Sequence, residues 1–148
     1  MTASPDAIAL AGAVEQLLTA LVQRRSVLGD VDPSPLSTFQ AITLGVLVDH
    51  GPLRLGGLAG LLRTTDATAS RTIDALSAHG LAERRGDPTD GRGVLVAATT
   101  AGCEAVDLRR DNLARLLEDL VGDMGPAEGR RLTELLGEVS VLLGGREA

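Results

Sequence analysis

The chain has 148 residues, a net charge of −6 and 44% hydrophobic residues, enough for a domain with its own core. No apolar run approaches the roughly 18 residues a membrane span needs, and Met1 to Asp6 hold no basic stretch of the signal-peptide kind, so a cytoplasmic protein with no membrane partner is expected. A single cysteine, Cys103, and two histidines, His50 and His79, exclude an intrachain disulfide and make a four-ligand zinc site a poor fit; no metal or cofactor is expected.

The first segment, about residues 5–28, reads as a helix, because Leu10, Val14, Leu17, Leu18 and Leu21 recur at three- and four-residue steps. A breaker follows, Gly29 to Pro35. Ser37-Thr38-Phe39-Gln40 is a capping box that starts a second helix, ended by Gly51-Pro52. A short third helix spans about Leu55 to Leu62. Thr64-Thr65-Asp66 can cap a fourth, which runs to His79 with Gly80 placed to terminate it. Its apolar stripe is Ala69, Ile73 and Leu76, with Thr68, Arg71, Thr72 and Ala75 facing elsewhere. Residues 81–85 and 94–97 read as two strands flanking a Gly/Pro/Asp loop, hence a hairpin with a long tip at 86–93. Thr99 or Thr100 can cap a fifth helix to about Val121, where Gly122 and then Gly125-Pro126 interrupt it. The last helix carries Leu132, Leu135, Leu136, Val139, Leu142 and Leu143.

The order is helix, helix, helix-turn-helix, hairpin, helix, helix: a mainly α fold with a small β-hairpin wing, the winged helix-turn-helix arrangement. The second helix of such a unit can enter a major groove and reach base edges from its N-terminal half. Here those side chains are Thr65, Asp66, Ala67, Thr68, Ser70 and Arg71. Thr64 and Thr65 equally suit plain helix capping, Asp66 suits the helix dipole, and Arg71 has an alternative as an ion-pair partner of Asp74 or Asp90. Arg92 on the hairpin suits the negative potential of a minor groove, with a solvated turn as the alternative. The charge balance fits this placement. Residues 54–92 hold six arginines against five acids, so the acidity lies elsewhere, and affinity follows the local field.

The stretch Leu58-Ala59, Ser70-Arg71, Leu76, Gly80-Leu81, Arg84, Asp87-Pro88-Thr89-Asp90-Gly91-Arg92 and Thr99 to Gly102 resembles the MarR family of winged helix-turn-helix transcriptional regulators. Leu36-Ser37 and Gln40 match that family's entry to the second helix. The resemblance implies a homodimeric regulator of double-stranded DNA that acts as a repressor on a pseudo-palindromic operator. It assigns Arg92 to the minor groove, Asp90 as its orienting partner, and Ser70 and Arg71 to the major groove. Arg84 and Arg85 extend the basic cluster. Two departures stand out: Gly91 where a second arginine is common, and Ala98 where a leucine is usual. The expected organisation is one MarR-like domain over 1–148, with a DNA-binding lobe at about 36–98 and dimerisation helices at about 5–28 and 99–145.

A small organic effector is an optional partner, sought near Phe39, Ile42, Thr43, Val46 and His50. Phe39 is the only aromatic residue, so a ligand gripped between rings is disfavoured. Cys103 opens the fifth helix, where a thiol can be activated, though a packed small residue is the plainer reading. The competing function is a winged-helix protein-interaction module, which the net acidity favours and the arginine cluster opposes. No nucleophile–base pair or phosphate loop suggests an enzyme.

Overall fold

A computed structural model describes residues 3–23 and 35–144. In chain order its elements are α1 (Pro5–Gln23), α2 (Thr38–His50), β1 (Leu53–Arg54), α3 (Leu55–Leu61), α4 (Asp66–Ala78), β2 (Ala82–Asp87), β3 (Asp90–Ala98), α5 (Thr100–Met124) and α6 (Pro126–Gly144). The expected extension of the first helix over 24–28, most of the breaker after it and residue 145 lie outside the described residues. Among the described residues, no helix is long and apolar enough to cross a membrane.

Local chemistry sets most of the boundaries. The Ser37 hydroxyl accepts the Gln40 N–H at 3.2 Å while the Gln40 side chain accepts the Ser37 N–H at 2.8 Å, so two N–H groups with no partner in the helix are satisfied reciprocally. The Thr65 hydroxyl caps α4 by accepting the Thr68 N–H at 3.2 Å. Gly80 takes φ 71° after α4, and Gly125 takes φ 84° between α5 and α6, left-handed values that cost glycine little. Gly122 does not stop α5, which continues to Met124. A lone interior glycine costs a helix only about 1 kcal/mol, whereas Gly125 followed by Pro126 removes the option of continuing.

The chain divides into two units, residues 32–111 and residues 1–31 with 112–148. The first holds a core built from Leu44 and Leu47 of α2, Leu58 of α3, Ile73 and Leu76 of α4, Ala82 of β2, Val96 of β3 and Val106 of α5. Thr72 is also buried, contrary to the reading that turned it outward. Its hydroxyl donates to the Thr68 carbonyl at 2.9 Å, so the polar atom enters the core already satisfied.

The sheet has three antiparallel strands in the order β1-β3-β2. Leu53 and Arg54 pair with Val96 and Leu95, adding a strand that the sequence pattern does not reveal. The hairpin is also longer than expected. Pairing runs from Ala82↔Ala98 to Asp87↔Asp90 with an irregularity at Gly86/Asp87, which leaves only Pro88 and Thr89 between the strands. The long glycine-rich tip is therefore mostly strand. At its base the Thr99 hydroxyl donates to the Gly80 carbonyl at 2.7 Å and accepts the Gly102 N–H at 3.1 Å. A Cβ on Gly102 would collide with the Leu81 carbonyl. The exit of α4 and the start of α5 are thus fastened to each other.

The second unit has a different surface. Ile8, Leu10, Val14, Leu17 and Leu18 of α1 are exposed, as are Leu135, Leu136, Val139, Val141 and Leu142 of α6.

Candidate nucleic-acid interface

The turn from α3 to α4 is tight. Arg63 adopts φ 49°, a left-handed conformation unusual outside glycine, and the Thr64 N–H donates to the Ala59 carbonyl at 3.0 Å. With Ala69, Thr72, Ile73 and Leu76 inward, helical period turns Ala67 and Arg71 outward, and both are exposed. Thr68 and Ser70 lie at the margin, half-buried. The Thr65 hydroxyl donates to the Thr68 hydroxyl at 3.0 Å besides capping the helix. Its main role here is therefore local, while the Thr68 hydroxyl keeps its own proton for another acceptor.

Two arginines engage three of the acids of this helix and the wing. Arg84 donates to Asp74 at 2.9 Å and to the Ser70 hydroxyl at 3.0 Å, so it ties β2 to α4. Arg54 donates to Asp87 at 2.8 Å and to Asp90 at 3.0 Å. Asp87 also accepts the Thr89 hydroxyl at 2.7 Å and the Thr89 N–H at 2.9 Å. The Thr89 hydroxyl first, then its N–H and the Arg54 guanidinium hold the Asp87 carboxyl down at about 2. Asp74 and Asp90, the two alternative partners considered for Arg71, are thus engaged by other arginines. Arg71, Arg85 and Arg92 have no side-chain hydrogen bond or ion pair among the described residues.

Three site expectations change in detail. Ser70 and Arg84 bind each other rather than standing free. Asp90 accepts the backbone N–H of Arg92 at 3.2 Å, and its charge is matched by Arg54, not by the Arg92 guanidinium. Arg85 leaves the α4 side. Successive strand residues alternate faces: Arg84 reaches α4, while Arg85 lines a cavity with Leu47, Gly51, Pro52, Ala97 and Cys103. The residue missed altogether is Arg54, whose partners lie 33 and 36 positions along the chain.

The model of the MarR family matches residues 31–93, the helix-turn-helix and most of the wing. Over 99% of this chain and 98% of the other, the fold is similar to the crystal structure of RV1404 from Mycobacterium tuberculosis, with TM-score 0.75 and 29% identity. Residues 31–93 of this chain are thus similar to the MarR family. The HTH-type transcriptional repressor NicR of Pseudomonas putida is 29% identical over 118 residues, 80% of this chain and 72% of that protein. The uncharacterized HTH-type transcriptional regulator ML2140 of Mycobacterium leprae is 35% identical over 77 residues, 52% of this chain. The match spans about half the length of that relative, 54%.

Within this MarR-like lobe the expected effector residues divide. Thr43 is fully buried, with its hydroxyl donated to the Phe39 carbonyl at 2.8 Å, so it cannot meet a ligand at the surface. Phe39 and Ile42 stay exposed on α2, and Val46 is half-buried. His50 is exposed, with Nδ1 3.1 Å from the Val46 carbonyl, the local partner a histidine finds at a helix C-terminus.

Proposed function

We propose that the protein is a sequence-specific regulator of transcription that binds double-stranded DNA as a homodimer and represses. In this reading each α4 enters a major groove, with Ala67, Thr68 and Arg71 toward base edges and half-sites about one helical turn apart. Each wing sets Arg92 in a flanking minor groove. The observation that carries the reading is the distribution of ion pairs: Asp74 is engaged by Arg84, and Asp87 and Asp90 share Arg54, which leaves Arg71 and Arg92 free. A net charge of −6 is then compatible with a locally positive face.

Regulation of transcription is supported by the similarity to helix-turn-helix regulators, and repression by the name of the Pseudomonas relative. The apolar residues exposed on α1 and α6 support the homodimer. A small organic effector, as an optional partner, would meet Phe39 and Ile42 before any other residue of the expected set.

The overall acidity favours a second reading, a winged-helix module that binds another protein. Selection from a random pool of DNA duplexes separates the two. The DNA reading expects an enriched, pseudo-palindromic motif bound at least about a thousandfold more tightly than its scramble. Enrichment of nothing would leave the protein-interaction reading.

A further inference from the structure

The wing carries two acids at its tip, Asp87 and Asp90, on a segment proposed to approach phosphates. Left alone they would repel DNA and each other. Arg54, in the two-residue strand β1, reaches both with one nitrogen, at 2.8 and 3.0 Å. The Asp87 side chain is only 7% exposed, and its other oxygen takes both donors of Thr89. The other oxygen of Asp90 takes the Arg92 N–H. Each of these polar links at the tip therefore passes through a carboxylate that Arg54 holds. Gly93 marks the same spot from the other side. A Cβ there would stand 3.0 Å from the Asp87 Cβ and 3.2 Å from the Arg54 guanidinium, so the ion pair fills the space a larger residue would need.

We propose that Arg54 is a positioning residue for the wing: by bridging Asp87 and Asp90 it fixes the tip from which Arg92 projects, and it raises DNA affinity through Arg92 rather than by touching DNA. This rests on the DNA-binding reading. It assigns opposite tasks to two exposed arginines of one lobe. Arg54 is tied up within the protein so that Arg92 stays free and ordered, which reduces the conformational entropy lost when the wing enters a groove.

The test is a double-mutant cycle on the full chain with the selected duplex, using Arg54→Ala, Arg92→Ala and both together. Arg54→Ala is expected to weaken binding about tenfold when Arg92 is present and at most about threefold when it is absent, the remainder being the acid charge left unmatched. In the free protein, exchange of the Thr89 and Arg92 amide protons is expected to accelerate in Arg54→Ala while the melting temperature moves by less than about 3 °C. Arg54→Gln serves as a second variant that keeps the side-chain bulk, with the same expectations. An equal loss with and without Arg92 would overturn the proposal and make Arg54 a direct phosphate contact. Unchanged affinity in Arg54→Ala, with binding by the unaltered protein intact, would overturn it alone. Absence of duplex binding by the unaltered protein would overturn the DNA reading and this proposal together.

Discussion

The two units of this chain treat their apolar residues in opposite ways. In residues 32–111 one set of aliphatic side chains converges, and Leu44, Leu47, Leu58, Ile73, Leu76 and Val96 are almost wholly buried, while Ile42 and Leu61 stay exposed. In the helices of the other unit, leucines and valines recur at the same helical spacing, yet Leu136, Val141 and Leu142 remain exposed within one protomer. Periodicity alone does not distinguish these outcomes. The lobe closes on itself because a sheet, three helices and the start of a fourth supply several faces to one core. The described residues of the other unit include no strand, and its exposed apolar side chains are the surface on which the proposed homodimer rests.

Truncating one aliphatic side chain in each unit separates the two situations. Ile73→Ala is expected to destabilise the lobe by about 2–5 kcal/mol, as a large-to-small change in a closed core, measured by urea unfolding. Leu136→Ala is expected to change the stability of an isolated protomer by less than about 0.5 kcal/mol. A sharper break places charge on the stripe. Leu136→Glu combined with Leu142→Glu is expected to raise the dimer dissociation constant by about a hundredfold or more. Light scattering would then report the 15.2 kDa chain mass instead of twice that value. A similar loss in Ile73→Ala and Leu136→Ala would erase the contrast.

A smaller effect probes the wing. The folded Asp87 carboxyl titrates at about 2, below its ordinary 3.8. A depressed carboxyl pKa stabilises the fold above the unfolded value and ceases to do so as pH falls through the folded one. The stability contributed by the Asp87 contacts is therefore expected to be constant above about pH 5 and to decline as pH falls toward 2, while the carboxyl itself protonates with a midpoint of about 2, read from the Asp87 carboxyl carbon shift in a pH titration. An Asp87 midpoint near its ordinary value would mean that neither the Thr89 hydrogen bonds nor the Arg54 bridge is populated in solution.

Features written in adjacent residues were legible in the sequence. The Ser37–Gln40 box, the Thr65 cap and the Gly80 terminator each depend on side chains within four positions of the backbone they serve. Features that depend on distant pairing were not. Asp87 to Gly93 is rich in glycine, proline and aspartate, so local propensity reads a loop, but β3 pairs along it and extends the wing. Strand β1 exists only because Leu53 and Arg54 meet Val96 and Leu95. The site follows the same division. Arg71 and Arg92 could be singled out from their places on the fourth helix and hairpin. That Arg84 would bind Ser70 and Asp74, or Arg54 the two wing acids, required the folded register.

Whether the wing arginine meets DNA is tested most directly by the salt dependence of binding to the selected duplex, for the unaltered protein and for Arg92→Ala, by fluorescence anisotropy. If it does, Arg92→Ala is expected to lose about 1–3 kcal/mol of affinity. The slope of log affinity against log salt should also become shallower by roughly 0.9 for each phosphate that is no longer neutralised. Equal affinity and equal slope for the two proteins would contradict the assignment of the free arginine on the wing to DNA.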